Sequence, residues 1–394
     1  MKGVCDFELK SRLLSERTMS IPPTQLRIIF EKAQRMKDVI RLEIGEPDFD
    51  TPTHIRDAAK KALDEGYTHY TSSAGIKDLR DSIADKMEKE NHISVDPDKE
   101  VVVTAGSCCA IYLAVMATVN QGEEVLLPDP IWPLYEGCVR LAGGVALHYP
   151  LLEKNRFKID PGDLKKRITE KTKMLVITNP SNPTGSIETK RELKDIADVV
   201  LENDILVVAD EVYEKLIYGG LEHFSLGSMP EMREKTITVN GFSKTYAMTG
   251  WRVGYAVTNE EIVEEMAKLN LYLNTCVNAA AQWAATAALK GPQDCVREMV
   301  KEYEKRREVF IDGLNLIPGI SCIKPDGAFY SFANVSSFGM SSFDFSMKLL
   351  EEARVSTTPG SSFGRCGEGY IRLSYARSIE ELEEALRRIE EALK

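Results

Sequence analysis

The chain has 394 residues, 43% of them hydrophobic, enough to bury a large core and to build two domains. A formal net charge of −11 and a pI near 5.2 argue against nucleic acid or an anionic membrane as the main partner, while local cations in a pocket can still bind small anions. The N-terminus lacks the unbroken apolar core of a signal peptide, and no apolar run approaches a membrane span.

Cys5, Cys108, Cys109, Cys138, Cys276, Cys295, Cys322 and Cys366 show no C-x-x-C pairing, and the histidines show no H-x-x-x-H. A cytoplasmic, metal-free protein with reduced thiols is expected.

In chain order, an arm leads to a helix predicted from Thr24 to Met36, with Pro22-Pro23 at its start. IRLEIGEPDFDTP reads as a short strand ending in a turn at Gly45 to Asp48. Helical spacing follows over 54–66 and 76–91, separated by the polar, aromatic loop 67–75. From residue 100 the rhythm becomes strand, loop, helix. Strands are predicted at 101–104, 124–130, 173–179, 204–210 and 235–241, with helices at 108–119 and 188–203. Apolar strands alternating with helices predict a largely parallel sheet covered on both faces, with ligands at the carboxyl ends of its strands. After residue 290 come a long charged helix (293–315), short strands near 328–332 and 370–375, and a last helix with a Ser378/Glu381 capping box. The division expected is 1–45 as arm and part of a small domain, 46–290 as the large domain, and 291–394 as the small domain.

Unusual residues gather at the predicted strand ends. Lys244 lies in a Gly-rich stretch after the strand 235–241, and Arg252 follows closely. A buried lysine beside a cation is easily deprotonated and can form an imine with an aldehyde, while a guanidinium fork suits a phosphate. Together they would hold pyridoxal 5′-phosphate (PLP); a surface lysine beside a structural arginine explains this stretch equally well.

Asp210 closes an all-apolar strand, where a carboxylate needs a cation such as a protonated pyridine nitrogen, or else serves as a helix cap. Tyr213 could reach the phenolic oxygen of the same ring. Asn179-Pro-Ser-Asn182-Pro-Thr-Gly185 is a restrained turn that suits an amide aimed at a ligand. Gly106-Ser107-Cys108 opens a helix whose free N–H groups suit phosphate, or is ordinary capping. Trp132 could stack on a ring or fill core. Arg372 alternates with Ile371 and Leu373, as a carboxylate-binding arginine or a surface residue would. The phosphate loops of nucleotide-binding folds are missing.

Taken together, GEPDF, NPSNPTG, DEVYEKL, SKTYAMTGWRVG and RLSYA resemble the class I/II aminotransferases, which are fold type I PLP enzymes of the aspartate aminotransferase superfamily, and are most similar to their I-gamma subgroup. That resemblance implies an α/β large domain with a mainly parallel seven-stranded sheet flanked by helices, plus a smaller α+β domain. It implies a Schiff base on Lys244, pairing of Asp210 with the pyridine nitrogen, and contacts from Tyr213 and Asn182 to the phenolic oxygen. Ser107, Cys108 (through its backbone), Ser243 and Arg252 would hold the phosphate, and Trp132 would stack on the ring. Tyr70 would reach the phosphate of a neighbouring subunit in an obligate homodimer. Gly45, Trp132, Asn182 and Arg372 would form the substrate site, with Gly45, Asn182 and Arg372 fixing the α-carboxylate.

Two positions depart from the pattern. Gly241 stands where many relatives have serine, and Cys108 stands where acid-specific members can carry lysine. The resemblance implies transfer of an amino group between an amino acid and a 2-oxo acid. The alternatives are a PLP-dependent C–S β-lyase of the same fold and, from another class, a PLP-sensing regulatory domain, against which the acidic chain argues.

Overall fold

Runs of Val, Ile and Leu that are buried from end to end build the central layer. The structure, a computed structural model, describes residues 13–21 and 25–394. After a single helical turn at Glu16–Met19, helix α1 (Gln25–Arg35) fills the segment predicted to be helical; Pro22, Pro23 and Thr24 lie outside the described residues. β1 (Ile40–Arg41), α2 (Thr53–Asp64) and α3 (Lys77–Lys86) follow, and α3 runs on as one π-helical turn to Asn91.

The alternating region comprises β2 (Val101–Thr104), α4 (Ser107–Thr118), β3 (Glu124–Asp129), α5 (Leu134–Leu141), β4 (Val145–Pro150), β5 (Thr172–Thr178), α6 (Lys190–Glu202), β6 (Leu206–Asp210), β7 (Thr236–Gly241) and β8 (Gly254–Val257). These strands form one seven-stranded sheet in the order β2-β8-β7-β6-β5-β3-β4. β8 is antiparallel to both neighbours, and the other pairs are parallel. Period-two alternation sends Val125, Leu127 and Val176 to the face covered by α4 and α5, and Leu126, Leu175 and Ile177 to the face covered by α6. The sheet thus matches the sequence-based expectation, although β4 and β8 themselves were not foreseen. β4 is a half-exposed edge strand without an unbroken apolar run, and β8 is a four-residue strand that begins at the end of the Gly-rich stretch around Lys244.

After α7 (Glu260–Asn274), α8 (Ala279–Lys290) and α9 (Asp294–Leu316) come β9 (Ser321–Cys322), β10 (Tyr330–Asn334), α10 (Ser342–Lys348), β11 (Val355–Ser356), β12 (Thr358–Pro359), β13 (Tyr370–Ser374) and α11 (Ile379–Leu393). A second, antiparallel sheet has the order β12-β13-β10-β9. β1 pairs in parallel with β11, and Ser374 donates its N–H to Leu42 O at 2.7 Å, so the segment entering Gly45 is stitched to the C-terminal strands.

Helix caps differ in one respect from the sequence reading. At α11 only the serine half of the box forms, with Ser378 Oγ accepting from Glu381 N. The reciprocal pair forms instead at α6, between Thr189 and Glu192. Among the described residues no helix is long and apolar enough to cross a membrane.

Candidate active site

The carboxyl ends of β5, β6 and β7, the start of α4 and the turn at Gly45 enclose a cavity of about 360 Å³. Gly45, Ser107, Cys108, Trp132, Asn182, Asp210, Tyr213, Ser243, Lys244, Arg252 and Arg372 all line it. Tyr70 does not. It is 86% exposed, beside Tyr67, Cys276 and Val277 in a second hollow.

Lys244 sits on the loop after β7, with Nζ donating to Gly45 O at 2.5 Å and lying 5.9 Å from the centre of the Tyr213 ring. Burial, and then the charge of Arg372, bring its pKa down to about 8. The cation named from sequence was Arg252. It contributes less than Arg372, because tertiary packing brings residue 372 to the amine as well.

Asp210 is buried at the end of β6. Its Oδ1 accepts from Val212 N at 3.1 Å, and its Oδ2 accepts from the Tyr135 hydroxyl. A run of turns follows rather than a helix, so the helix-cap alternative falls away. Burial pushes this carboxyl upward against the two hydrogen bonds, which leaves an acid that a cation in the cavity would stabilise. Glu214, the residue after Tyr213, sits in a buried polar network. Lys86 Nζ donates to Glu214 Oε1 and to Asn91 Oδ1, and Asn91 Nδ2 donates to Glu214 Oε2 at 2.7 Å. Burial opposes ionisation of Glu214, yet Lys86 and neighbouring charges hold its carboxyl down to about 2.

The corner between Arg252 and the start of α4 is built on close approach. Gly106 has φ +82°, and a Cβ there would lie 2.4 Å from Arg252 Nη2, so only glycine lets the guanidinium reach the start of α4. Arg252 Nη1 donates to Thr249 O at 2.9 Å, while the first N–H groups of α4, at Ser107 and Cys108, precede its intrahelical bonds. Ser243 is buried beside them.

Arg372, on β13, is fully buried. It donates from Nη1 to Asn182 Oδ1 at 3.0 Å and from Nη2 to Glu43 O at 2.6 Å, while its Nε has no partner. Its guanidinium carbon lies 4.4 Å from the centre of the Tyr330 ring and 5.8 Å from that of Trp132. Asn182 therefore turns its amide to Arg372 and lines the cavity. Asn179 spends its amide on the turn itself, with Oδ1 accepting from Glu188 N at 2.9 Å.

The sequence reading missed Tyr135, Tyr330, Glu43, Leu26 and Phe30, all of which line the cavity. Tyr135 follows Trp132 by one helical turn, a spacing that could have flagged it. Tyr330 and Glu43 sit in ordinary strand-like runs and carry no local signal.

Residues 37–389 match the family described as aminotransferase class I and II. The chain belongs to that family. This aminotransferase is 46% identical over 383 residues to an aspartate aminotransferase of Pyrococcus abyssi, covering 97% of this chain and 98% of that one. It is 44% identical to aromatic-amino-acid aminotransferase 2 of Thermococcus litoralis, over 97% of this chain and 98% of that one. A crystal structure of an aromatic aminotransferase from Pyrococcus horikoshii matches with a TM-score of 0.89 and 46% identity, covering 93% of this chain and 98% of that one. The aminotransferase is thus a transaminase of the aspartate aminotransferase-like fold, and its family implies PLP as cofactor.

Proposed function

We propose that the aminotransferase holds PLP in this cavity and passes amino groups between a broad set of L-amino acids and 2-oxo acids such as 2-oxoglutarate. The observation that carries this reading is the depressed pKa of Lys244, about 8, in a cavity that also contains a buried acid and two arginines. The donor set fits the cofactor. Asp210 has hydrogen bonds from Tyr135 and Val212 but no ion-pair partner among the described residues, which suits a pyridinium nitrogen. Arg252, Ser243 and the N-terminus of α4 suit a phosphate dianion.

When bound, the cofactor supplies the electron sink that makes a substrate Cα–H acidic. Lys244, whose pKa of about 8 lies well below that of an ordinary lysine, takes and returns the proton at Cα. Asp210 keeps the ring nitrogen protonated, and Tyr213 and Asn182 address the phenolic oxygen. Arg372 would grip the substrate α-carboxylate and so fix the orientation of the bonds at Cα. Tyr70, exposed outside its own cavity, is assigned to the phosphate of a partner subunit in a homodimer. The division into arm, large and small domains and a cytoplasmic setting belong to the same proposal.

Substrate breadth follows from the walls. Among the described lining residues the cations are Lys244, Arg252 and Arg372, each already assigned, and Cys108 adds none. Leu26, Phe30, Ile111 and Leu134 are apolar, so aromatic and other neutral side chains fit beside glutamate and aspartate. The test is a half-reaction screen, in which the PLP-loaded protein is mixed with single amino acids and conversion to the pyridoxamine form is followed by absorbance. Conversion by glutamate and by phenylalanine or tyrosine is expected. Preference for aspartate over phenylalanine by more than roughly a thousandfold would overturn the tolerant pocket. Ammonia and pyruvate released without an acceptor would mark the β-lyase instead.

A further inference from the structure

Tyr330 has no part in the assignments above, yet it touches three of the residues they use. It opens β10, is 1% exposed, and places its hydroxyl 2.6 Å from that of Tyr213. Its ring face lies against the Arg372 guanidinium. A Cβ at residue 45 would come within 2.2 Å of its hydroxyl, so Gly45 is the residue that lets the phenol sit there.

Burial raises the pKa of both phenols, so each keeps its proton at neutral pH. Two protons are shared by two oxygens, and only one proton can lie between them. If Tyr213 donates, its proton is spent on Tyr330. If Tyr330 donates, the proton of Tyr213 is free to point into the cavity. The cation against the Tyr330 ring favours loss of charge density from that phenol and makes it the better donor.

We propose that Tyr330 is a positioning residue that donates to Tyr213 and thereby turns the Tyr213 O–H toward the phenolic oxygen of the cofactor. The inference rests on the reading that PLP occupies the cavity. A donor at that oxygen withdraws electron density from it. A proton shared between that oxygen and the Lys244 nitrogen would then be held less tightly, and the pH at which the bound cofactor changes colour would fall.

The experiment is a spectrophotometric pH titration of the PLP-loaded native protein, Tyr330→Phe, Tyr213→Phe and the double variant. Tyr330→Phe keeps the ring against Arg372 and removes only the hydroxyl. The transition is expected to rise by about 0.5–1 pH unit, the scale of one lost neutral hydrogen bond. In the Tyr213→Phe background the same change should add nothing, because the effect passes through Tyr213. A downward shift would mean that Tyr213 donates to Tyr330, and no shift would mean that the hydroxyl only packs; either overturns the inference. If Tyr330→Phe does not retain the cofactor, Gly45→Ala presses the hydroxyl off Tyr213 without removing it. The same upward shift is expected there, and its absence is equally fatal. A native protein that takes up no PLP would overturn the cofactor reading itself, whereas a normal native titration with unmoved variants overturns only the role of Tyr330.

Discussion

A lysine held near pKa 8 instead of its ordinary 10.5 is a liability to the cofactor-free fold, and replacing it measures how large. At pH 7 both folded and unfolded chains carry the charge, but the folded one does so against burial and Arg372. The difference corresponds to about 3 kcal/mol at 1.36 kcal/mol per pH decade. Lys244→Met keeps most of the stem and removes the charge, while giving up the bond to Gly45 O, which contributes about 1 kcal/mol. The cofactor-free variant is therefore expected to be more stable than the native protein by about 2 kcal/mol at pH 7. The sign with pH is definite. Between pH 8 and 10.5 the unfolded chain binds more protons at this site than the folded one, so native stability rises with pH. The gap should shrink to nearly nothing by about pH 9.5. Urea unfolding of both cofactor-free proteins at pH 7 and 9.5, at matched concentration, reads the effect. A methionine variant less stable at pH 7, or a gap that ignores pH, would refute the assignment of a desolvated amine.

The other predictions concern the groups around that amine. Asp210→Asn is expected to slow the half-reaction by orders of magnitude, lowering kcat and kcat/KM together, because an amide cannot hold the pyridinium proton. Tyr135→Phe, which removes a hydrogen bond to the charged Asp210, should cost about tenfold or more; stopped-flow absorbance checks both, and a near-native rate for Asp210→Asn would leave it a structural acid. Lys86→Met strands Glu214 in a buried site and is expected to cost about 3–5 kcal/mol at pH 7. Because the native Glu214 carboxyl is held near 2 rather than 4.5, its stabilisation is present above pH 4.5 and lost as pH falls toward 2, and urea midpoints across that window should show the variant lacking this loss. Gly241→Ser fits without a clash, since a Cβ there meets Gly254 Cα and Val253 O at 3.4 Å and Ser107 Cβ at 3.8 Å. One added phosphate hydroxyl should tighten PLP about fivefold by equilibrium dialysis, and unchanged affinity would place that hydroxyl out of reach.

Much of the site was legible because several of its residues end or follow an apolar run. Asp210 closes β6, Lys244 follows β7, and Ser107 opens α4, so apolar runs that stop at a polar residue marked the carboxyl edge before any strand order was known. Such signals are local, carried by propensity, caps and turn residues a few positions apart.

Which of those edge residues meet, and what holds them, was a matter of tertiary structure. Tyr135 and Asp210 are 75 positions apart, Tyr213 and Tyr330 are 117 apart, and Asn182 and Arg372 are 190 apart. No periodicity in the chain encodes those pairings. They arise because the strand order brings β6 between β5 and β7, while β10 and β13 each send a buried side chain, Tyr330 and Arg372, into the cavity wall. The same holds for the pKa of Lys244. Sequence placed a lysine beside one arginine, but desolvation and the approach of a second arginine from β13 require the walls to have closed around it. The chain by itself determined which chemical groups stand at the strand ends. Only packing decided which partner each one faces, because hydrogen bonds and charge interactions depend on distance in space and not along the sequence.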